Sequence, residues 1–261
     1  MSFTGLVADL SAGGATVVGR ESVGSTNTLA MQLAAEGADH ATIVVADHQT
    51  AGRGRSGRTW HADAGSHVLM SVIWRLDWPA SRAPQVTLHA AVAVARAIEE
   101  ACGIRIGLKW PNDGLIGNKK CAGILTELRT IGDRVDAIVI GVGIDVAPLV
   151  GAPDDVRQTA TSLSEAAGRS VDRNVVACAL QRQLGDSYAA LVSRGEWDRS
   201  GWMDYETTID RPVQVDSPPD ASWLGRAVGV EVSGALSVEH SDGTVRQVTT
   251  GDVLIATGEG G

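Results

Sequence analysis

Gly52-Arg53-Gly54-Arg55-Ser56-Gly57-Arg58-Thr59, followed by Trp60-His61-Ala62-Asp63-Ala64-Gly65, is the stretch on which the fold turns. It satisfies G-x-G-x-x-G, the dinucleotide fingerprint, and G-x-x-x-x-G-R-T, one substitution from a phosphate-binding P-loop. Both patterns work only when a helix begins immediately afterwards, because the phosphate sits on the helix N-terminus. Here Asp63-Ala64-Gly65 and then an apolar run at 68–76 leave no room for that helix, and the P-loop lysine is missing. Asp77 lies where a dinucleotide fold wants an acid, but no βαβ unit surrounds it. Both matches are rejected. What remains is chemistry: Arg53, Arg55 and Arg58 on a glycine-loosened backbone with no acid among them. They repel one another unless solvent or an anion screens them, and arginine forks match phosphate or carboxylate oxygens. The segment reads as an anion-binding loop or as a solvated surface loop.

Upstream, Ser25-Thr26-Asn27 precede a helical stretch that stops near Gly37, with Ser25 or Asn27 as its N-cap. Residues 42–47 read as a strand, 48–65 as a polar Gly/Arg segment and 68–76 as a buried strand. Between 83 and 102, Leu88, Ala91, Ala95, Ile98 and Cys102 recur at intervals of three and four, a helix face ended by Gly103. Ile104, Ile106, Leu108 and Trp110 alternate with Arg105, Gly107 and Lys109, which is strand periodicity and turns Lys109 away from the apolar side. Pro111-Asn112-Asp113-Gly114 is a turn, with further strands at 119–128 and 135–144. A second long helix at 172–194 carries Val176, Leu180, Leu184, Tyr188 and Leu191. After about Asp210 come short strand-like runs, Pro218-Pro219 and the Asp242-Gly243 turn signal, as in a small β-barrel. The expected class is α+β: a mixed sheet flanked by helices in residues 1–208 and a β-barrel in 209–261.

The chain has 261 residues and 27.1 kDa, 44% hydrophobic and 20% charged. Folding at that length buries roughly 70–75% of the unfolded surface, so global disorder is excluded. A net charge of −9 and a pI near 5.1 argue against nonspecific nucleic-acid binding as the main task. Cys102, Cys121 and Cys178 form no C-x-x-C, and the six histidines show no H-x-x-x-H, so neither a disulfide framework nor a structural zinc site is indicated. The segment MSFTGLVADLSAGG lacks a basic n-region, and no apolar run approaches the ~20 residues of a membrane span, so a soluble cytoplasmic protein is expected. Of 22 basic residues only Lys109, Lys119 and Lys120 are lysines, all close together. They mark a site that needs the compact ammonium, or chance in an arginine-biased chain.

Five motifs in order resemble those of biotin protein ligases. They are Ser25-Thr26-Asn27, the stretch from Gln49 to Trp60, Lys109-Trp110-Pro111-Asn112-Asp113, Lys120-Cys121-Ala122-Gly123-Ile124-Leu125-Thr126-Glu127, and Gly141-Val142-Gly143-Ile144-Asp145-Val146. Gly229, Gly234, Leu236 and Asp242-Gly243 resemble that family's C-terminal barrel, so the likeness runs over nearly the whole chain. It implies a class II synthetase-like catalytic domain and a Src-homology-3-like barrel. It also implies a two-step reaction with ATP and biotin as substrates. Biotin carboxylate attacks the α-phosphorus, giving biotinyl-5′-AMP and pyrophosphate; a lysine of a biotin carboxyl carrier domain of an acyl-CoA carboxylase then takes the biotinyl group. Mg²⁺ is expected with ATP, with no all-protein metal cage visible. Neither DNA nor a membrane is expected as partner, since only 24 residues precede Ser25, too few for the repressor domain of some relatives. A monomer or weak homodimer is expected. A lipoate or octanoate ligase and a non-catalytic biotin sensor are the alternatives.

Site roles follow from the resemblance. Ser25, Thr26 and Asn27 bind the ureido end of biotin, unless they serve only as a helix cap, and Gln49 lies along the same pocket. Arg53, Arg55 and the Gly54 amide line the biotin carboxylate and the phosphates, and replacing Arg55 by Gly is expected to leak the adenylate. Lys109, with Arg55, is the catalytic candidate: a point charge bridging the carboxylate and α-phosphate oxygens. Arg58 reaches phosphate. Trp60 packs beside the adenine or is an ordinary core aromatic, and Asn112 and Lys120 contact the nucleotide or serve the adjoining turn. Gly123, Gly141 and Gly143 admit a flat ligand or mark bulges. Asp145 departs from the usual asparagine at a nucleotide contact. It keeps the acceptor, loses the donor and adds charge.

Overall fold

The computed structural model describes residues 2–132, 134–217 and 221–256. Seven strands form one sheet: β1 Val17–Val23, β2 Ile43–Gln49, β3 Val68–Trp74, β4 Gly107–Lys109, β5 Asp113–Ile116, β6 Lys119–Ile131 and β7 Arg134–Ile144. Their spatial order is β1-β2-β3-β7-β6-β5-β4. Only β1 and β2 are parallel. A parallel pair needs a crossover, which α2 Thr26–Ala35 supplies.

The pleat divides the sheet into two faces. Ile138, Ile140, Val142 and Ile144 of β7 join Met70, Val72 and Trp74 of β3 beneath α3 Ala83–Cys102 and α6 Arg173–Arg194. Ala137 and Val139 point the other way, with Val44 and Ile73, and are covered by Ala30 and Ala34 of α2. Gly141 and Gly143 continue that second face, Gly141 beneath Asn27 in the first turn of α2. Helix α3 is buried on almost every side, and Gly103 ends it at φ +71°. Asp172 caps α6 by accepting from Asn174 N. Both long helices have the predicted bounds.

Several elements differ from the sequence reading. Helix α1 Phe3–Ala12 was not expected, yet it docks Leu6 and Leu10 into the α3/α6 layer. The predicted turn 111–114 is shorter, because Asp113 and Gly114 already pair in β5. The strand expected over 104–110 narrows to Gly107–Lys109, although Ile106, Leu108 and Trp110 keep the alternating burial. Three short helices, α4 Asp154–Thr159, α5 Leu163–Ala167 and α7 Arg199–Tyr205, fall below the length at which periodicity is visible.

The C-terminal strands β8 Pro212–Asp216, β9 Trp223–Val230, β10 Leu236–Glu239, β11 Val245–Val248 and β12 Asp252–Ile255 make an antiparallel sheet in the order β11-β10-β9-β8-β12. Among the described residues β11 and β12 are its edges, and no ladder between them closes the expected barrel. Residues 249–251 alone connect those edges, a reach of at most ~14 Å from Val248 to Asp252. The sheet must therefore curl until its edges approach, without their exchanging ladder hydrogen bonds. Asp242-Gly243 forms the expected turn, with His240 N donating to Thr244 O at 2.8 Å. The Pro218-Pro219 signal lies outside the described residues. Trp110 Nε1 donates to Gly234 O (3.0 Å) and Trp197 Nε1 to Val232 O (2.7 Å), tying this sheet to the first. No helix among the described residues is long and apolar enough to cross a membrane.

A buried polar corner follows β7. Asp145 N donates to Cys121 O, and Asp145 O accepts from Leu163 N, both at 2.8 Å. Asp145 Oδ1 lies 3.5 Å from Nδ1 of the fully buried His67, but neither that oxygen nor either His67 ring nitrogen has a hydrogen-bond partner among the described residues. Burial decides their charge states. It pushes His67 down to about 4. It also lifts Asp145 well above the usual carboxylate range against the pull of Lys120, with Glu165 and Asp63 adding to the rise. A raised carboxyl favours the folded state fully below its unfolded value of about 3.9, and that contribution is lost as pH climbs toward the folded value. Asp145→Asn keeps the shape without the ionisation. It is expected to melt roughly 2–4 °C above the wild type at pH 8, the shift that ~1 kcal/mol produces in a chain near this size, with the gap closing only as the pH falls below about 3.9. Equal melting temperatures across that range would show that Asp145 ionises freely.

Candidate active site

Sheet register builds the floor. One row of directly paired residues runs Lys109, Asp113, Gly123, Gly143, Leu69 across β4, β5, β6, β7 and β3. The next runs Leu125, Gly141, Ser71. All three glycines sit in regular ladder, which removes the bulge alternative for them. Their bareness is used: a Cβ at Gly141 would overlap the Asn27 amide, and one at Gly143 or Gly123 the Trp60 indole. The irregularity lies elsewhere. A bulge at Cys121, opposite Gly114 and Leu115, reverses the pleat and brings Lys120 onto the same face as Gly123.

At one end of the floor stands a neutral polar group. Ser25 is the N-cap position of α2 but makes no side-chain cap bond. Ser71 Oγ lies 2.6 Å from Asn27 Oδ1 and 2.8 Å from Thr26 Oγ1. Asn27 Nδ2 donates to Leu125 O (3.0 Å) and Glu127 Oε2 (2.9 Å), so its amide orientation is fixed from both sides. Gln49 Oε1 accepts from Thr26 N (2.8 Å) and Thr26 Oγ1 (3.1 Å).

The arginine loop closes over the floor as a small hairpin. Arg53 bridges Thr59, Gly54 N donates to Arg58 O (2.7 Å), and Trp60 N donates to Gly52 O (3.0 Å). A single 3₁₀ turn at Arg55–Gly57 forms its tip, with Ser56 at φ +53°. Gly52 is required because a Cβ there would strike the Trp60 carbonyl. The hairpin delivers Trp60 onto Gly123 and Gly143, with Lys120 Nζ 5.5 Å from the ring centroid.

Charge gathers at the far end. Asp113 holds Lys109 Nζ at 3.1 Å and Lys120 Nζ at 2.5 Å. Burial opposes ionisation of Asp113, but the two ammonium groups outweigh it and hold the carboxyl below its ordinary range. Arg53 is paired with Glu127 at 2.9 Å, and Arg58 with Asp252. Arg55 differs: its guanidinium donates to Asn112 Oδ1 (3.4 Å) and Gly251 O (3.1 Å), and it has no ion pair among the described residues. Burial lowers its affinity for a proton, with Asp252 and Asp113 opposing that. Five cations thus face three carboxylates, a fixed positive surplus in an acidic protein. Asn112 also serves its turn, donating to Ile124 O at 2.9 Å.

These groups line one cavity of about 130 Å³. It brings together Ser25, Thr26, Asn27, Gln49, Arg53, Gly54, Arg55, Arg58, Trp60, Lys109, Asn112, Lys120, Gly123, Gly141 and Gly143. Asp145 is not on its wall, and Lys119 is exposed. Sequence reasoning gave no role to Ser71, Asp113, Glu127 or Asp252. Ser71 carried a signal, as the one polar residue of an otherwise apolar, fully buried strand. Among the described residues no group of three or more His, Cys, Asp or Glu is placed to hold a metal ion.

Residues 19–145 match the biotin/lipoate A/B protein ligase family, and residues 208–255 match the biotin protein ligase C-terminal domain. The chain is 40% identical over 231 residues to the bifunctional ligase/repressor BirA of Bacillus subtilis, covering 88% of this chain and 70% of that one. It is 34% identical over 236 residues to the biotin--[acetyl-CoA-carboxylase] ligase of Mycobacterium tuberculosis, covering 88% and 85%. In fold it is similar to the Aquifex aeolicus biotin protein ligase solved with biotin and ATP, with a TM-score of 0.77 at 23% identity over 93% of this chain and 99% of that one. The motifs, the cavity and these relatives agree, and the chain belongs to the biotin protein ligase family.

Proposed function

We propose that the protein activates biotin with ATP and transfers it to a lysine of the biotin-carrier domain of an acyl-CoA carboxylase. The observation that carries this reading is a single cavity with two unlike ends: neutral hydrogen-bonding groups over bare glycines at one, and a cation surplus at the other. From Ser71 on β3 to Lys109 on β4 the floor crosses four strand spacings, roughly 19 Å, room for an extended ligand laid across the strands.

In the first step a biotin carboxylate oxygen bonds to the α-phosphorus of ATP as the bond to the pyrophosphate oxygen breaks. Two anions must meet, and the barrier is largely their repulsion. Arg55, with no carboxylate partner among the described residues, and Lys109, held in place by Asp113, supply charge where the pentavalent phosphorus gathers it. Arg53 lines the carboxylate, and Lys120 and Asn112 the nucleotide; the Gly54 amide, expected at the carboxylate, is instead spent on Arg58 O within the hairpin. Trp60 offers an indole face beside the base. Ser25, Thr26, Asn27 and Gln49 take the ureido group. In the second step a carrier lysine amine attacks the carbonyl carbon of the mixed anhydride, AMP leaves, and the amine proton is released. Each carboxylate on the cavity wall is already engaged by a cation, so Mg²⁺ is expected to arrive with the triphosphate. The biotin reading is preferred to lipoate because the C-terminal sheet matches the biotin protein ligase C-terminal domain and the relatives cited are named for ligase/repressor or biotin ligase activity.

Pyrophosphate release with ATP and Mg²⁺ is expected with biotin and not with lipoate or octanoate, and to become catalytic when an apo biotin-carrier domain is added. Release with lipoate alone would move the protein to the other half of its family. Lys109→Ala is expected to lower kcat/KM by about 10²–10³, the usual loss on deleting one pre-placed charge donor, while the melting temperature changes little. Near-normal turnover in that variant would refute the assignment.

A further inference from the structure

Two of the three loop arginines are anchored to the C-terminal sheet. Gly251 O accepts from Arg55 Nη2 at 3.1 Å, and the Asp252 carboxylate pairs with Arg58, 194 positions away in the chain. Asp252 is also the foremost carboxylate supporting the charge of Arg55. The corner that presents these groups is stiff. Gly251 sits at φ +114° where a Cβ would strike the Asp216 carbonyl, Ser217 Oγ donates to Thr250 O at 2.9 Å, and Asp252 pairs with Asp216 in the β8–β12 ladder. The loop it holds is a partition. Arg53, Gly54, Arg55, Arg58 and Thr59 line the 130 Å³ cavity on one side and an open cleft of about 710 Å³ on the other.

We propose that the corner at residues 250–252 is a latch that holds the arginine loop closed over the activated intermediate, with Asp252 as its positioning residue. This rests on the ligase reading. Arg58 then acts through the latch and not on phosphate. Adenylation needs the cations only for the moment of bond exchange, but the mixed anhydride must be kept from water and stray amines until the carrier lysine arrives. Releasing the loop joins the cavity to the cleft and ends that protection.

The test uses the full chain. Asp252→Asn is expected to shorten the residence of biotinyl-AMP on the enzyme about five-fold, the factor that loss of one partly exposed ion pair produces. Biotin labelling of a non-cognate protein such as serum albumin should rise in step, with the rate of pyrophosphate release in the first turnover within about two-fold of wild type. Arg58→Asp should likewise shorten retention, and the exchange Arg58→Asp with Asp252→Arg should restore it. Retention unchanged in Asp252→Asn, or a loss that the exchange does not recover, overturns the latch. A second readout needs no chemistry: trypsin should cut the loop after Arg53, Arg55 or Arg58 faster in Asp252→Asn at an unchanged melting temperature. Unchanged cleavage overturns the latch even if the wild type makes no adenylate, an outcome that by itself counts against the ligase reading alone.

Discussion

The antiparallel ladder that sets Gly123 opposite Gly143 and Leu125 opposite Gly141 is the constraint from which the site follows. Because side chains alternate, a slip of one residue would send the glycines to the α3 face and put Val142 or Ile124 where Asn27 and Trp60 now lie. The core prevents that slip. Ile138, Ile140, Val142 and Ile144 are all buried on the opposite face, and exposing any one forfeits ~1.5–3 kcal/mol of transfer free energy. The apolar residues of β7 thus fix the placement of its bare positions, and packing on one side of the sheet determines chemistry on the other.

Charge placement obeys a similar economy. Lys109 and Lys120 come from different strands, and their ammonium groups would repel one another at the distances that Asp113 imposes. One buried carboxylate between them makes the arrangement stable and leaves a net positive charge. Had each lysine its own acid, the end of the cavity would be neutral and useless against a triphosphate. The loop likewise leaves one cation over: among the described residues Arg53 and Arg58 each have a carboxylate, and Arg55 between them has none. A chain of net charge −9 can therefore present a local cation surplus, because what the ligand meets is the unpaired remainder within a few ångströms.

Much of this was legible in the sequence because it depends on local pattern. The bounds of α3 and α6, the outward phase of Lys109 and the absence of a helix after the Gly/Arg loop all follow from residue spacing. The resemblance then assembled motifs that spacing alone could not join. What escaped were effects of tertiary register. Nothing local marks the bulge at Cys121 that turns Lys120 to the site, and Asp252 approaches Arg58 only because two sheets meet. Helix α1 was missed because its two anchors, Leu6 and Leu10, make a stripe too short to count. Barrel closure was over-read: the strand count and spacing of a barrel and of a curled open sheet are alike, and among the described residues only the edges β11 and β12 distinguish them.

The two half-reactions make opposed demands on one set of groups. Adenylation is favoured by strong positive charge around the phosphates, while transfer requires that an amine reach the carbonyl carbon and that AMP depart. A loop closed only by the ligand's own phosphates would leave when AMP leaves, but it would also loosen whenever the ligand shifted. A loop braced by Glu127 on the first sheet and by Gly251 and Asp252 on the second keeps its shape without drawing on the substrate's charge. Arg55 can then keep its charge for the substrate, because its own anchor is the neutral Gly251 carbonyl while Glu127 and Asp252 neutralise its neighbours in the hairpin. The division of labour explains why arginines five positions apart in one loop have such different partners, and why the C-terminal sheet belongs to the site although it adds no side chain to the floor.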